Sequence, residues 1–196
     1  MLRNVLLLIL SFILGSIPFG IIIASTKRVD LRGVGSGNIG ATNVLRSVGK
    51  LPAVFTLLGD ILKGTLAVSV GKYFGVDPLY EGLMGISAIL GHNFSLFLGF
   101  KGGKGVATSL GVLAVYSPKA AFCVLGVWLV TVFFTKYSSL GAIVSFALLP
   151  VFVLLFDYGK ITLLITILIS VFILLRHKDN IRRLVNGTET KIGQRA

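Results

Sequence analysis

Acidic side chains are scarce: seven Asp and Glu stand against 19 Lys and Arg in 196 residues, and charged residues of every kind make up only 13%. An ordinary soluble domain carries about a quarter, so that class is excluded at the outset. Carboxylates this sparse form no cluster of the kind that holds a metal, and no Ser, His and Asp follow one another in an order that suggests a nucleophilic triad. The single cysteine, Cys123, lies in an apolar run and has no internal disulfide partner. No internal repeat and no low-complexity segment occurs. The net charge of +12 would point to nucleic acid in a soluble protein. Here the cations sit between apolar runs, so the expected partner is anionic lipid or an anionic substrate, with no nucleic acid.

What is abundant is apolar: 55% of the residues are hydrophobic and the mean hydropathy is +0.94. A helix needs roughly 20 apolar residues to cross a hydrocarbon core of about 30 Å. Seven segments are expected as spans, at about 4–26, 51–71, 79–98, 106–116, 120–135, 140–156 and 161–175. Segments four and five are short, and Ser117-Pro118-Lys119 between them reads as a tight turn rather than a kink in one long helix. The expected fold is thus all-α, a single polytopic membrane bundle over 1–196. Basic residues set its orientation. The stretches 27–50, 99–105, 136–139 and 176–196 hold fourteen Lys and Arg, against four on the other side (Arg3, Lys72, Lys119, Lys160). The former are expected in the cytoplasm, with the amino terminus outside and the carboxyl terminus inside. Arg3 ahead of a long apolar run also fits a secretory signal, but the run is too long and lacks a small-x-small site, so it reads as a span stopped by Lys27-Arg28. The outer connectors, Asp157 to Lys160 among them, are short.

Three cytoplasmic stretches carry the polar chemistry. Gly35-Ser36-Gly37-Asn38-Ile39-Gly40 matches G-x-G-x-x-G, yet it lies between membrane spans and not in a strand-turn-helix unit, which excludes a dinucleotide site. What survives is narrower: glycines at φ > 0 let main-chain N–H groups approach an anion, Ser36, Asn38, Thr42 and Asn43 add polar partners, and Arg46 can fork onto a phosphate. The plain alternative is a flexible loop whose Arg46 obeys the charge bias. In the second stretch, Gly99 to Gly105, a Walker pattern fails by one spacer residue and by glycine where Ser or Thr should stand. Four glycines with Lys101 and Lys104 at a helix start remain either an anion cradle, built on Gly102, Gly103 and Gly105, or a basic turn. His92, placed about two turns before the end of span three, reads as a helix-packing hydrogen bonder or a site residue. The third stretch has His177, Ile181, Leu184 and Val185 at helical spacing, which predicts an interfacial amphipathic helix. His177 and Asn180 share one of its faces. Ser138-Ser139 is expected to face the same region. Asp60 and Lys63, at i, i+3 within span two, are expected as an ion pair. Glu189 has no role that spacing alone assigns, and 190–193 reads as a short ordered tail.

Thioester-dependent glycerolipid acyltransferases use His-x4-Asp, and that pair is missing: His92 is followed at +5 by Phe97 and His177 by Arg182. The sequence closely resembles a different family, the bacterial acyl-phosphate:glycerol-3-phosphate acyltransferases (PlsY family). The resemblance rests on Gly35 to Asn43 with Arg46, on Gly91-His92-Asn93 with Phe100-Lys101-Gly102-Gly103-Lys104-Gly105-Val106-Ala107-Thr108, and on Arg176 to Arg183, three long motifs in one order over nearly the whole chain. It implies a seven-helix enzyme of the bacterial cytoplasmic (inner) membrane with its site on the cytoplasmic face. The implied reaction moves a fatty acyl group from acyl phosphate to the 1-hydroxyl of sn-glycerol 3-phosphate, giving lysophosphatidic acid and phosphate without metal or other cofactor. Partners implied are the bilayer, the two substrates and the soluble enzyme that makes acyl phosphate. By the same resemblance Ser36, Arg46, Lys104, His177 and Asn180 touch substrate, with Ser139 and His92 behind them. Arg46, Lys104 and Asn180 fall to the phosphates, Ser36 to orienting substrate, and the base is His177 or the donor's own phosphate. The rival from another class is a transporter of a phosphorylated small metabolite; the absence of inverted repeats and the one-sided motifs weigh against it.

Overall fold

The protein, seen in a computed structural model, is described over residues 1–156 and 158–194; Asp157 of an expected outer connector, and Arg195 and Ala196 of the basic tail, lie outside the described residues. The regular elements among these residues are all helical, without a strand. The eleven helices are α1 (Leu2–Ser16), α2 (Phe19–Ser25), α3 (Ala41–Ser47), α4 (Lys50–Tyr73), α5 (Pro78–Asn93), α6 (Val106–Tyr116), α7 (Pro118–Thr135), α8 (Ser138–Ala147), α9 (Leu149–Leu155), α10 (Lys160–Arg176) and α11 (Lys178–Val185).

Local chemistry sets most of these boundaries. Pro18 has no N–H to donate, so the first apolar run breaks into α1 and α2 at Ile17-Pro18. Asp77 caps α5, its carboxylate accepting from the N–H groups of Leu79 (3.0 Å) and Tyr80 (3.2 Å), with Pro78 in the first turn. Ser117 alone joins α6 to α7. His177 separates α10 from α11, which meet at a bend of 56°. The third apolar segment departs from expectation: the helix stops at Asn93 and a 3-10 turn follows at Leu96–Leu98. The cause is tertiary, since Ser95 Oγ donates to Ser16 O (2.6 Å) and Leu96 N to Ser16 Oγ (3.3 Å), tying the chain to the end of α1. His92 therefore stands in the last turn of α5 rather than two turns inside it.

Hydrogen bonds place the connectors at two ends of the bundle. At one end Lys72 Nζ donates to Val115 O (2.8 Å), Tyr116 Oη to Pro78 O (2.9 Å) and Lys119 N to Tyr158 Oη (3.0 Å). Leu7 packs with Val76 and Met84 near that end. At the other, Arg32 reaches Lys101 O (3.1 Å), Thr42 meets Ser138 (3.1 Å) and Ser139 meets Glu189 (2.7 Å). A continuous helix over 106–135 would separate its ends by about 45 Å; instead both ends lie at the same end of the bundle, so the chain reverses at Ser117.

Large apolar side chains such as Leu58, Leu62, Phe133, Phe134 and Leu164 stand on the exterior, while Asp60, Lys63, His92, Asn93 and Thr108 are buried. That is the arrangement a lipid solvent favours. Four stretches, Leu2–Ser25, Lys50–Tyr73, Pro118–Thr135 and Ser138–Leu155, are long and apolar enough to cross a membrane, and α10 with α11 makes a fifth if the bent pair counts as one. The expected fourth span coincides with α6 residue for residue, but 11 residues reach only about 16 Å.

The core packs Val68, Ile86, Val112, Leu113, Phe146, Ile165 and Ile169. Helices α4 and α6 cross at near backbone contact: a Cβ on Gly64 would lie 2.1 Å from Thr108 O and one on Gly111 2.0 Å from Ile61 O. Gly111→Ala is thus expected to cost about 1–3 kcal/mol and lower the thermal midpoint in detergent, whereas Gly126→Ala, with nothing within 4 Å of its new Cβ, leaves it unchanged or slightly raised. Equal melting of both variants would refute the close crossing.

Candidate active site

A cavity of about 720 Å³ opens at the end of the bundle where the basic connectors meet. The loop before α3 forms one wall. Asn43 is buried and holds that loop: its Nδ2 donates to Leu31 O (3.1 Å) and Val34 O (3.2 Å), and its Oδ1 accepts from Ser36 N (2.9 Å). Gly35 (φ 59°) and Gly37 (φ 67°) adopt the positive φ expected of them, and a Cβ on Gly35 would fall 2.3 Å from Asn43 Oδ1. Ser36 is thereby presented, exposed, on the cavity wall.

The opposite wall comes from α11, the start of α6 and the tail. Lys104 Nζ donates to Asn180 Oδ1, and Asn180 Nδ2 donates to Glu189 Oε1 (2.7 Å). Glu189 also accepts from Ser139 Oγ (2.7 Å) and Arg183 Nε (2.7 Å). Burial pushes the Glu189 carboxyl up, but these three donors and the Arg183 charge outweigh it and hold it below the usual range. Arg46 donates through Nη2 to Thr190 O (2.8 Å), and its Nε is buried without a partner. Burial lowers the Arg46 guanidinium, opposed by Glu189. Burial, with Arg183 adding repulsion, brings Lys104 down to about 8. Burial likewise lowers His177 to about 4, so its ring is neutral at pH 7. Its Nδ1 lies 2.7 Å from Ile173 O; a carbonyl only accepts, so Nδ1 carries the proton and Nε2 keeps a free lone pair.

Beyond this cationic mouth the cavity becomes apolar. Val54, Leu57 and Ile61 of α4, Leu110 of α6 and Val124 and Leu125 of α7 line it, and Leu57 and Leu125 are exposed on the bundle exterior. Trp128 closes one side, its Nε1 donating to Ser138 O (3.3 Å). One cavity therefore joins a polar, cation-lined head to an apolar slot.

The structure brings Ser36, Asn38, Thr42, Asn43, Arg46, His92, Lys104, Gly105, Ser139, His177 and Asn180 to the wall. Gly37, Lys101, Gly102 and Gly103 are not among the lining residues. The N–H groups of Gly102 and Gly103 donate to the carbonyls of Asn93 (3.1 Å) and His92 (3.0 Å), so they brace the loop; the donors facing the cavity at this point are Lys104 and the first turn of α6, whose N–H groups have no intrahelical partner. Asn43 spends its amide on its own loop. Sequence reasoning missed Glu189 and Trp128. The signal available for Glu189 was that it is one of two acids, with Asp179, in a tail of cations. Asp60 and Lys63 do pair, at 2.9 Å, and His92 joins them.

An all-helical bundle with an apolar exterior and charged groups sequestered inside belongs to the class of helical integral membrane proteins. Within it the family can be stated. Residues 5–187 match the family model described as Glycerol-3-phosphate acyltransferase, and the chain belongs to that family. It is similar to the glycerol-3-phosphate acyltransferases of Geobacter sulfurreducens, at 43% identity over 97% of this chain and 98% of that one, and of Brucella anthropi, at 46% over 95% and 92%. It is also similar to the crystal structure of PlsY, an integral membrane glycerol 3-phosphate acyltransferase, in its glycerol 3-phosphate form, with a TM-score of 0.93 and 42% identity over 97% of this chain and 96% of that one. For the lysophosphatidic acid form the TM-score is 0.91 and the identity 40%, over the same shares.

Replacing Glu189 with Gln removes the charge that three donors converge on. The sign follows from its lowered folded value: the stabilisation is complete above the ordinary Glu value of 4.5 and is lost as pH falls through the folded one. Glu189→Gln should melt below wild type at pH 7, and the two curves should converge in strong acid; a constant gap across pH would refute the charge-based account.

Proposed function

We propose that the protein is an acyl-phosphate-dependent glycerol-3-phosphate 1-O-acyltransferase. The observation that carries the reading is the continuity of the cation-lined head with the apolar slot, since the donor and the product each join a phosphate to an acyl chain. Family membership and the glycerol 3-phosphate and lysophosphatidic acid forms of the similar PlsY structures support it.

In this reading Arg46 and Lys104 hold phosphoryl oxygens through charge-assisted hydrogen bonds, Asn180 orients Lys104 and adds its own amide, and Ser36 orients the acceptor. The 1-hydroxyl oxygen of glycerol 3-phosphate attacks the acyl carbonyl carbon, an ester bond forms, and the bond from that carbon to the phosphate oxygen breaks. The hydroxyl proton must leave. His177 Nε2 can accept a hydrogen bond from it, but a group of pKa about 4 is a weaker base than a phosphate dianion, whose second pKa is about 6. The departing phosphate is therefore the better final acceptor, with His177 orienting the hydroxyl. The acyl chain lies in the apolar slot and reaches lipid past Leu57 and Leu125.

The same proposal includes the topology. One domain over 1–196 crosses the bacterial cytoplasmic membrane seven times, through α1 with α2, α4, α5, α6, α7, α8 with α9, and α10. The amino terminus is outside, and the cavity and carboxyl terminus face the cytoplasm. The alternation of connectors between the two ends of the bundle and the fourteen-to-four bias of basic residues support it. The short α6 is accommodated because its polar start lies in the mouth of the cavity rather than against lipid.

The test is phosphate release by detergent-purified protein from palmitoyl phosphate, with and without sn-glycerol 3-phosphate, in excess EDTA. Release that depends on glycerol 3-phosphate and yields lysophosphatidic acid is expected; transfer only from acyl-CoA would overturn the donor. For the free enzyme, kcat/KM should fall as pH rises through about 8, where Lys104 loses its charge. Lys104→Arg should carry that limb to higher pH while retaining activity, and an unmoved limb would take Lys104 off the phosphate.

A further inference from the structure

Three titratable side chains that the proposed chemistry leaves unused lie together at the floor of the cavity. Asp60 is 2% exposed, Lys63 1% and His92 5%. Lys63 Nζ lies 2.9 Å from Asp60 Oδ1, 2.7 Å from His92 Nδ1 and 3.0 Å from the carbonyl of Ile17 at the break between α1 and α2. Asp60 Oδ1 is also 3.4 Å from His92 Nδ1. Burying such a group in an apolar bundle is expensive, and packed apolar residues of similar volume are commonly as stable. One donor would satisfy the Ile17 carbonyl. The remaining geometry concerns the imidazole, which the pair grips at Nδ1.

The other edge of that ring meets the glycine loop. A Cβ on Gly103 would lie 2.1 Å from His92 Nε2, 2.9 Å from Cε1 and 3.0 Å from Cδ2, so its three nearest atoms all belong to this one ring. The main chain is fixed to the same residue, because Gly103 N donates to His92 O (3.0 Å). From the far side Arg176 clamps the loop, with Nη2 2.8 Å and Nε 3.2 Å from Gly103 O. The next residue after Gly103 is Lys104, and the next after Arg176 is His177.

We propose that Asp60, Lys63 and His92 are positioning residues: the ion pair locks the His92 ring against Gly103, and the locked ring sets the height of the loop that carries Lys104, and through Arg176 the start of the turn that carries His177. None of the three needs to touch the reacting atoms. The inference rests on the acyl transfer proposed above, because Lys104 and His177 matter to the reaction only under that reading. It also gives the buried charges a task that an apolar core would not perform, since a Leu at 92 fills space without a fixed orientation.

The lock makes a reciprocal prediction. At Gly103 the nearest atoms an added methyl meets are all in the imidazole, and the imidazole cannot swing away while Lys63 holds it, so the loop must move. Displacements near 1 Å commonly cost up to about a hundredfold in rate. Gly103→Ala should lower kcat/KM for glycerol 3-phosphate by at least about tenfold while its melting temperature stays near wild type. His92→Asn keeps an acceptor for Lys63 and removes the outer edge of the ring, and it should by itself lower kcat/KM several-fold through a loosened loop. In His92→Asn/Gly103→Ala the methyl occupies the space the ring vacated, so the double variant should be more active than Gly103→Ala alone. A purely structural role does not predict that rescue. Full activity in folded Gly103→Ala, or a folded double variant no better than the single, would overturn the inference. If Gly103→Ala does not fold, His92→Asn decides: wild-type kinetics from it count against the proposal, and a several-fold loss at unchanged melting temperature supports it. An active wild type with unaffected variants sinks this inference alone, whereas a wild type unable to transfer acyl groups takes both readings down.

Discussion

Inside a bundle whose exterior is apolar, a backbone carbonyl taken out of its helix must find a donor from within the protein. The interruption at Ile17-Pro18 leaves the Ile17 carbonyl to a tight-turn N–H from Phe19 (3.2 Å), and Lys63 adds a charged donor from α4 at 3.0 Å. A lysine there brings its own requirement, which Asp60 satisfies one turn away. The pair then fixes His92, His92 fixes Gly103, and Gly103 receives Arg176. A proline in the first apolar run is thus connected by five short contacts to the loop and the turn that hold the cationic head of the cavity. From Ile17 to Arg176 the buried polar groups form one connected set rather than a scatter of isolated pairs.

The electrostatics at the mouth follow a similar logic. Arg46, Lys104 and Arg183 converge near one carboxylate, Glu189, which offsets part of their mutual repulsion in the absence of an anion. A single acid leaves a net positive site, still suited to phosphate, yet keeps the cations close enough together to act on one ligand. A second acid here would weaken the pull on phosphate; with none, Lys104 would be pushed further from its charged form.

How far the sequence reveals this architecture depends on whether the deciding contact is local. Helix α6 was legible to the residue because Gly105 and Ser117-Pro118 punctuate it in the chain itself, and the loop from Gly35 was legible because positive φ is a property glycine advertises. Asp60 and Lys63 were readable as a pair from their i, i+3 spacing. The end of α5 was not, since Phe94, Leu96, Phe97 and Leu98 are as apolar as the helix before them, and what stops it is Ser16, nearly 80 positions away. Gly102 and Gly103 look like an anion cradle in one dimension; only the fold reveals that their N–H groups point at the carbonyls of α5. Glu189 owes its place in part to Ser139, 50 residues upstream, and although Asn180 and Arg183 lie closer in the chain, their spacings of 9 and 6 residues are not helical pairings that a sequence announces.

The Arg176–Gly103 hydrogen bonds staple together two segments separated by more than 70 residues of chain, with a site residue on the outer side of each leg. Such a staple couples tolerances. Sequence drift in the glycine loop is felt at the start of α11 and the reverse, so the two are bound to change together or not at all. The loop that bears Ser36 is held by the buried Asn43 and meets the glycine loop through the exposed Arg32 at Lys101 O (3.1 Å), a looser tie. Variation in substrate preference within this architecture therefore has its easier outlet in the wall that Asn43 holds, while the stapled wall serves as the gauge.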